Sequence, residues 1–219
     1  MVNNAVIFHH YFDDDHLLML ELIRCRHQSY AKVHGFDFLP VDLRDHFDNV
    51  SKENAQIHTV EFANDLIKNY EYIAWLDLDT IIWDLGTDLR DATDSIGAVL
   101  FRKDEPKPTK AKMHDFLFGW NNFHMNCGAV YIKRNPFTVQ FLKDWYELAK
   151  EKGGWYGAQN AYNILAIEHD IPALDIKWNW CDNRHEPCEH PIVRGYHGYH
   201  GKNGKLTKEQ AMMRDLKKL

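Results

Sequence analysis

The sequence has little cysteine and no long hydrophobic run. Its four cysteines, Cys25, Cys127, Cys181 and Cys188, are too few for the dense disulfide framework of a small secreted domain. The first residues, MVNNAVIFHHYFDDD, lack the basic start and the apolar stretch of a signal peptide. No apolar run approaches the roughly 18 residues that a membrane-spanning helix needs. We therefore expect reduced thiols, no membrane span and a cytoplasmic location.

Glycine patterns for phosphate binding and an excess of positive charge are also missing. No segment has the spacing of a P-loop or of the dinucleotide-binding fingerprint. The 26 Lys and Arg residues are outnumbered by 32 Asp and Glu, which gives a net charge of −6. General attraction to nucleic acid is therefore not expected. Lysines at 103–112 and near the C-terminus still leave a DNA partner open.

The length of 219 residues fits one domain, residues 1–219, with a sizeable core. Hydrophobic residues make up 45% of the chain, which is ordinary for a globular protein. Aromatic residues are abundant at 13%, and seven of them are Trp. Such rings suit either a bulky core or the platforms on which sugars and nucleobases stack.

Strand and helix patterns alternate along the first half of the chain, which is typical of an α/β fold with a largely parallel sheet. Capping and stop signals predict a helix from Asp13 to Gly35, and Ser51 can cap a second helix. Further helices are predicted to begin at Pro136 and at Gln159. A basic helix is predicted at 207–218, and the predicted strands are 5–8, 36–41, 72–76, 80–83, 96–101 and 127–132.

Two carboxylates, Asp77 and Asp79, directly follow the predicted strand at 72–76. In an extended segment residues i and i+2 point to the same side, so both face the crevice at the carboxyl end of the sheet. Close carboxylates repel each other unless a cation lies between them. Oxygen ligands suit Mn²⁺ or Mg²⁺, which can bridge phosphates and offset charge on a departing diphosphate.

A carboxylate pair also occurs in EF-hands and in phosphatases of one type. An EF-hand is excluded because Ile81 and Ile82 occupy its third ligand position and its glycine position. A phosphatase of the haloacid-dehalogenase type, with Asp77 as the nucleophile, remains an alternative because it also has an Asp two residues after the nucleophile. A non-catalytic sugar-binding module needs aromatic and polar groups but no paired carboxylates, so the pair weighs against it.

Six segments resemble, in order, retaining glycosyltransferases of the GT-A fold. The resemblance is greatest to the family of plant xyloglucan xylosyltransferases and yeast α-galactosyl- and α-mannosyltransferases. It is looser to the glycogenin and lipopolysaccharide galactosyltransferase family. The segments are SYAKVHGFDF (29–38), SKENAQ (51–56), YEYIAWLDLDTIIWD (70–84), NCGAVYIKRNPFTVQFLKDW (126–145), GAQNAYNIL (157–165) and YHGYHGKNGK (196–205).

The resemblance implies one GT-A domain, with a Rossmann-like mixed sheet flanked by helices. It also implies a metal-dependent transfer of sugar from a nucleotide-diphosphate sugar, expected to be a UDP-sugar, with retention of anomeric configuration. The acceptor hydroxyl is expected on a surface-glycan precursor, a protein or a hydroxymethylated DNA base. Because Golgi members of the family carry a membrane anchor, we expect a bacterial or viral enzyme acting in the cytoplasm.

The resemblance also implies roles for single residues. Asp77 and Asp79 match the DxD motif that binds the metal ion, and the third ligand is expected to be His200, which leads into the KNGK loop, with His197 as the alternative. Lys202 or Lys205 would reach the diphosphate as point charges.

Further residues are implied around the donor. Asn126 and Gly128 match an Asn-x-Gly turn that lines the donor sugar. Gln159 matches a polar residue beside the anomeric carbon, and Lys52 matches a lysine that precedes the second helix. Rings at the end of the first strand are expected to stack on the base, namely Phe8, His9, His10 and Tyr11.

The segment CDNRHEPCEH, from Cys181 to His190, contains two Cys and two His. These side chains are zinc ligands, but their spacing matches no standard zinc finger. A loop on the acceptor side is the favoured interpretation, and a structural zinc site is the alternative.

Overall fold

The structure is a computed structural model that describes residues 4–100, 125–154, 156–182, 185–197, 199 and 206–219. The predicted ligand His200 and the predicted phosphate contacts Lys202 and Lys205 lie outside these residues.

The order of helices and strands follows the sequence prediction closely. The strands are β1 (Ala5–Tyr11), β2 (Asp37–Asp42), β3 (Tyr72–Leu76), β4 (Thr80–Ile82), β5 (Ile96–Leu100), β6 (Met125–Lys133) and β7 (Val193–Gly195). The helices are α1 (Asp14–His34), α2 (Ala55–Leu66), α3 (Pro136–Lys152), α4 (Gly157–Glu168) and α5 (Lys208–Leu216). None of the helices in the described ranges is long and apolar enough to cross a bilayer.

The central sheet has the strand order β2-β1-β3-β6-β5. β1 pairs in parallel with β2 and β3, whereas β6 runs antiparallel to both β3 and β5. The mixed sheet of an α/β fold is therefore confirmed, with β6 as the one reversed strand of this sheet. Because β1 and β3 are parallel neighbours, their carboxyl ends meet at one edge.

Each face of the sheet is covered by a hydrophobic layer. On one side Phe8 contacts Trp75, and the Trp75 ring stacks on Trp145 with centroids 5.5 Å apart. On the other side Ile7 and Tyr131 are fully buried. Alternation along β1 explains why Ile7 and Phe8 enter different layers.

Helix α1 lies against the strand that follows the carboxylate pair. It begins after the N-cap Asp13 and ends at Gly35, whose φ of 69° is the left-handed conformation that glycine adopts freely. From its middle, Arg26 donates hydrogen bonds to the carbonyls of Ile82 and Trp83 at 2.6 and 2.5 Å. The helix thereby fixes the end of β4.

A two-stranded ribbon brings distant segments together. β4 pairs antiparallel with β7, and Thr80 lies opposite Gly195. Asp79 immediately precedes β4, while His197 lies two residues after β7. The antiparallel register therefore sets a carboxylate and an imidazole side by side.

Candidate functional site

The loop that carries the two carboxylates is fixed by hydrogen bonds of its backbone. The Asp77 N–H donates to the Gly128 carbonyl at 2.8 Å, and the Tyr196 N–H donates to the Asp79 carbonyl at 2.8 Å. The Thr80 hydroxyl donates to the Asp77 carbonyl at 2.6 Å. β6 on one side and the segment after β7 on the other thus hold the loop in place.

Two buried histidines connect the ends of the strands on either side of this loop. The His9 Nδ1–H donates to the Leu76 carbonyl at 2.6 Å, and the Ile82 N–H donates to His27 Nε2 at 2.9 Å. Because these partners fix the tautomers, His27 Nδ1–H donates to His9 Nε2 across 3.0 Å. Burial lowers the pKa of His9 to about 4 and that of His27 well below 6.5, so both rings are neutral.

These contacts exclude two of the four rings near the end of β1 that were expected to stack on a base. Phe8 is fully buried against Phe62 and Trp75, and His9 is fully buried in the pair just described. Neither ring is accessible to a ligand, because strand alternation turns one into each layer of the core. Tyr11 packs against the apolar cluster between α1 and α5, and His10 alone of the four lines the pocket beside Asp77.

The two carboxylates have opposite electrostatic environments. Burial, together with the charge of Asp79, raises the pKa of Asp77 to about 6. Burial alone would also raise the pKa of Asp79, but nearby His197 and Lys208 hold it below its ordinary value. At neutral pH Asp79 is therefore the more firmly ionised member of the pair.

Two nitrogen groups contact the Asp79 carboxylate. His197 Nδ1 lies 3.3 Å from Asp79 Oδ2. The Lys208 ammonium forms an ion pair with the same oxygen, and the charge of Asp79 raises the pKa of Lys208. No local motif predicts this role for Lys208, which lies 129 residues from Asp79 along the chain. Its Thr-x-x-Gln capping pattern, from Thr207 to Gln210, is the one local signal that marks it as the first helical residue.

The His197 ring is enclosed by two glycines. A Cβ on Gly128 would lie 2.5 Å from His197 Cε1 and 2.6 Å from Nε2, and one on Gly195 would lie 3.0 Å from Nε2. Asn126 Oδ1 accepts the Gly128 N–H at 2.8 Å, which stabilises the turn. The pairing register of β5 also shifts here, from Val130 to Asn126 on β6, and such bulges often lie beside active sites.

The remaining predicted residues lie at different distances from this centre. Gln159 Oε1 accepts the Cys127 N–H at 3.3 Å, which puts Gln159 beside the Asn-x-Gly turn. Lys52 is exposed in the turn before α2 and does not line the pocket, whereas Gln56 does. The pocket is lined by His10, His16, Met19, Gln56, Asp77, Leu78, Asp79 and Lys208.

The chemistry of this centre suits a divalent ion. Among the described residues, Asp79 Oδ1 and His197 Nε2 are buried without a hydrogen-bond partner, and so is His10 Nδ1, which lies 4.0 Å from Asp77 Oδ1. Carboxylate oxygens and imidazole nitrogens are ligands for Mn²⁺. Within the described residues no three such side chains converge on one point as they stand, and Lys208 occupies Asp79 Oδ2.

The segment from Cys181 to His190 is used for packing where the structure describes it. His185 Nδ1 accepts the Cys181 N–H at 3.0 Å, and His185 Nε2–H donates to the Leu100 carbonyl at 2.8 Å. Both ring nitrogens therefore have backbone partners, and the described residues contain no zinc-like cluster. The contacts favour a structural loop beside β5 over the zinc alternative.

Comparisons with known proteins agree on the fold. No protein-family model matches the chain. An uncharacterized α-1,2-galactosyltransferase of Schizosaccharomyces pombe is 24% identical over an alignment of 165 residues that covers 66% of this chain and 44% of that protein. The match thus spans less than half of that relative's length.

Solved structures of glycosyltransferases have a similar fold. A glycosyltransferase involved in the glycosylation of the major capsid of PBCV-1 has a TM-score of 0.60 at 13% identity, covering 96% of this chain and 98% of that one. The bifunctional glycosyltransferase WbbM has a TM-score of 0.61 at 14% identity, covering 90% of this chain and 46% of that one. The chain has the GT-A fold of these enzymes, and its sequence resembles the glycosyltransferase family.

Proposed function

We propose that this protein is a metal-dependent glycosyltransferase that uses a nucleotide-diphosphate sugar. One observation carries the proposal: Asp77 and Asp79 directly follow the carboxyl end of β3, and His197 lies 3.3 Å from Asp79, in a fold shared with glycosyltransferases. Ligands of open α/β sheets bind at this edge. The donor is a UDP-sugar, and the ion is Mn²⁺ or Mg²⁺.

The carboxylates of Asp77 and Asp79 would hold the ion, with His197 as the third protein ligand. His200, outside the described residues, stays an alternative for that ligand. When bound, the ion would supply positive charge that stabilises a departing diphosphate. Two observations support this assignment. Asp79 Oδ1 has no hydrogen-bond partner among the described residues, and Gly128 leaves room for the His197 ring.

Residues on β6 and α4 would orient the donor sugar. Gln159, held beside Cys127, is neutral and would stabilise developing charge at the anomeric carbon without attacking it. Asn126 and Gly128 form the turn that lines this position. The departing diphosphate would help to deprotonate the acceptor hydroxyl on the same face, so the anomeric configuration is retained. NMR of the product linkage tests retention, and an inverted product contradicts it.

Residues at the other end of the pocket would bind the nucleotide and the diphosphate. His10 lines the pocket beside Asp77, and the partly exposed Tyr11 follows it at the end of β1, so both rings are proposed contacts of the nucleotide. Lys202 and Lys205 are proposed diphosphate contacts, and Lys52 is a weaker candidate because it lies outside the pocket lining. The acceptor is a hydroxyl on a glycan precursor, a protein or a modified DNA base, to be identified by mass spectrometry of products.

Ligand-induced thermal stabilisation tests the reaction class. We expect UDP-sugars with Mn²⁺ to raise the melting temperature, because ligands that bind only the folded state stabilise it. Phosphate monoesters with Mg²⁺ should not do so. The opposite result would favour the phosphatase alternative, with Asp77 as nucleophile, and sugar binding independent of metal would favour a non-catalytic module.

A matched pair of variants tests the role of the carboxylates. Asp79→Ala should abolish both sugar transfer and donor hydrolysis, measured by release of UDP. Asp91→Ala removes an exposed carboxylate that does not line the pocket and should leave both rates unchanged. Full activity of Asp79→Ala, or full activity in EDTA, would refute the metal role.

A further inference from the structure

A lysine occupies the carboxylate that the proposed metal ion needs. The Lys208 ammonium pairs with Asp79 Oδ2, and the Asp79 side chain is only 7% exposed. The same lysine lines the pocket together with Asp77 and His10. An ammonium ion is therefore already present at the position where a divalent cation would be expected.

This contact is built into the fold. Lys208 is the first residue of α5, whose start is fixed by a capping box in which the Gln210 N–H donates to Thr207 and the Thr207 N–H donates to Gln210. Ala211 and Met212 on the same helix are fully buried in the cluster with residues of α1. The helix thus delivers Lys208 to Asp79 from a packed position.

The far end of α5 is held by charge. Asp215 is fully buried and forms ion pairs with Arg194 at 3.0 Å, Arg214 at 2.8 Å and Lys218 at 3.1 Å. It also accepts a hydrogen bond from the Tyr196 hydroxyl at 3.1 Å, one residue before His197. Both ends of α5 are therefore tied to the segment that carries the proposed ligands.

Two cations cannot share this carboxylate without a large repulsion. Two like charges a few ångströms apart repel strongly at a buried carboxylate, and a divalent ion doubles the repulsion that a monovalent one would cause. A divalent ion at Asp79 would therefore have to displace the Lys208 ammonium. A diphosphate arriving with the ion adds negative charge beside the displaced ammonium and offsets the repulsion.

We propose that Lys208 is an internal cation that competes with the divalent ion for Asp79, and that a diphosphate relieves this competition. The ion alone then binds weakly, whereas the ion and a nucleoside diphosphate bind cooperatively. By linkage each raises the affinity of the other by the same factor. The competition between Lys208 and the ion can be measured on the protein without a nucleotide. Only the part that concerns the diphosphate rests on the proposed function.

Direct metal titration tests the competition without any catalysis. The free Mn²⁺ signal in electron paramagnetic resonance reports Mn²⁺ binding to the wild type, Lys208→Met and Lys208→Gln. Both neutral replacements should bind Mn²⁺ alone at least about tenfold more tightly than the wild type. Lys208→Arg keeps the charge and should stay near the wild type. Lys217→Met, at the exposed end of the same helix, is the matched control and should also leave the affinity unchanged.

A second titration measures UDP binding at saturating Mn²⁺ by calorimetry. The neutral variants should bind UDP at least about tenfold more weakly, so that the cooperativity between metal and UDP falls. Equal or weaker Mn²⁺ binding by both neutral variants, with circular dichroism confirming that they are folded, overturns the proposal. Undetectable Mn²⁺ binding by every protein also overturns it. Tighter Mn²⁺ binding without any UDP binding, in the wild type too, supports the competition and refutes the proposed function.

Discussion

The approach of Gly128 to the His197 ring is the tightest steric constraint among the described residues of the site. This approach brings β6 close to the segment after β7, and it is possible because Gly128 has no Cβ atom. A methyl group at position 128 would lie 2.5 Å from the ring and would push the imidazole away from Asp79.

Gly128→Ala should therefore weaken Mn²⁺ binding at least about tenfold, because the ring can no longer stay beside Asp79. Mn²⁺ titration by electron paramagnetic resonance measures the loss. His197→Ala removes the ring and supplies the control in a double-mutant cycle. The double variant should bind Mn²⁺ as weakly as His197→Ala alone, and fully additive losses would contradict the steric explanation.

The His9–His27 pair gives the protein a pH dependence of stability. The pKa of His9 is lowered to about 4 in the folded protein, and that of His27 is also lowered, so the unfolded chain takes up protons first as the pH falls. The stabilisation is complete above about pH 6.5 and is lost progressively toward pH 4, by up to about 1.4 kcal/mol per pH unit for each ring.

Urea unfolding between pH 7.5 and 4.5 measures this effect. Asp77, whose pKa is raised to about 6, acts in the opposite direction, so the informative quantity is a difference between proteins. His27→Gln keeps a donor and an acceptor but does not titrate. Its free energy of unfolding should fall less steeply with decreasing pH than that of the wild type, and parallel curves would contradict the assignment.

Single residues were predictable where the signal is local. That Asp77 and Asp79 line one pocket at the end of β3 could be predicted, because they are two residues apart after a buried strand. Lys208 could not, because it is one of several lysines in a basic helix and its role depends on a contact 129 residues away. The exclusion of Phe8 and His9 from the site likewise required knowledge of which layer each side chain enters.

At the scale of elements, strand β3 has the predicted bounds, since its apolar run is bracketed by polar residues. α2 begins three residues later than the Ser51 cap suggested, because Asn54 Oδ1 accepts the Ser51 N–H at 2.7 Å and forms a turn first. The antiparallel direction of β6 could not be predicted from a local sequence pattern, because it depends on how the chain returns to the sheet after β5.

The anchoring of α5 allows a prediction at this scale. Although burial alone would raise the pKa of Asp215, hydrogen bonds from Arg214 and Lys218 lower it to about 2, so the carboxylate is charged. Asp215→Ala leaves Arg194 near the protein interior without this partner and should lower the free energy of unfolding by about 3 kcal/mol. Urea unfolding measures it.

The same variant should also lose the Lys208 contact, because α5 is no longer held at its far end. Asp144→Ala, which removes a carboxylate hydrogen-bonded only to the adjacent turn in the described contacts, is the control and should cost less than about 0.5 kcal/mol. If the free energy of unfolding falls by the same small amount in both variants, the network around Asp215 does not anchor the helix.

At the scale of the whole molecule, strands from both halves of the chain pair with each other in the same sheets. β6, from the second half, lies between β3 and β5 of the first, and β7 pairs with β4. We therefore predict that residues 1–219 unfold as one domain. Circular dichroism and tryptophan fluorescence should give coincident urea transitions, and two separate transitions would contradict a single domain.

The ribbon of β4 and β7 has a consequence for how such a protein can change over evolution. The chain leaves the ribbon after Ile82 and returns to it at Val193, so Asp79 and His197 keep their spacing through local pairing. Longer connections between the elements of that stretch add only slowly growing loop-closure entropy. Homologous chains can therefore lengthen those connections while β5 and β6 keep their places in the central sheet. An engineer who grafts loops into those connections should find that the pairing of β4 with β7 still sets Asp79 beside His197.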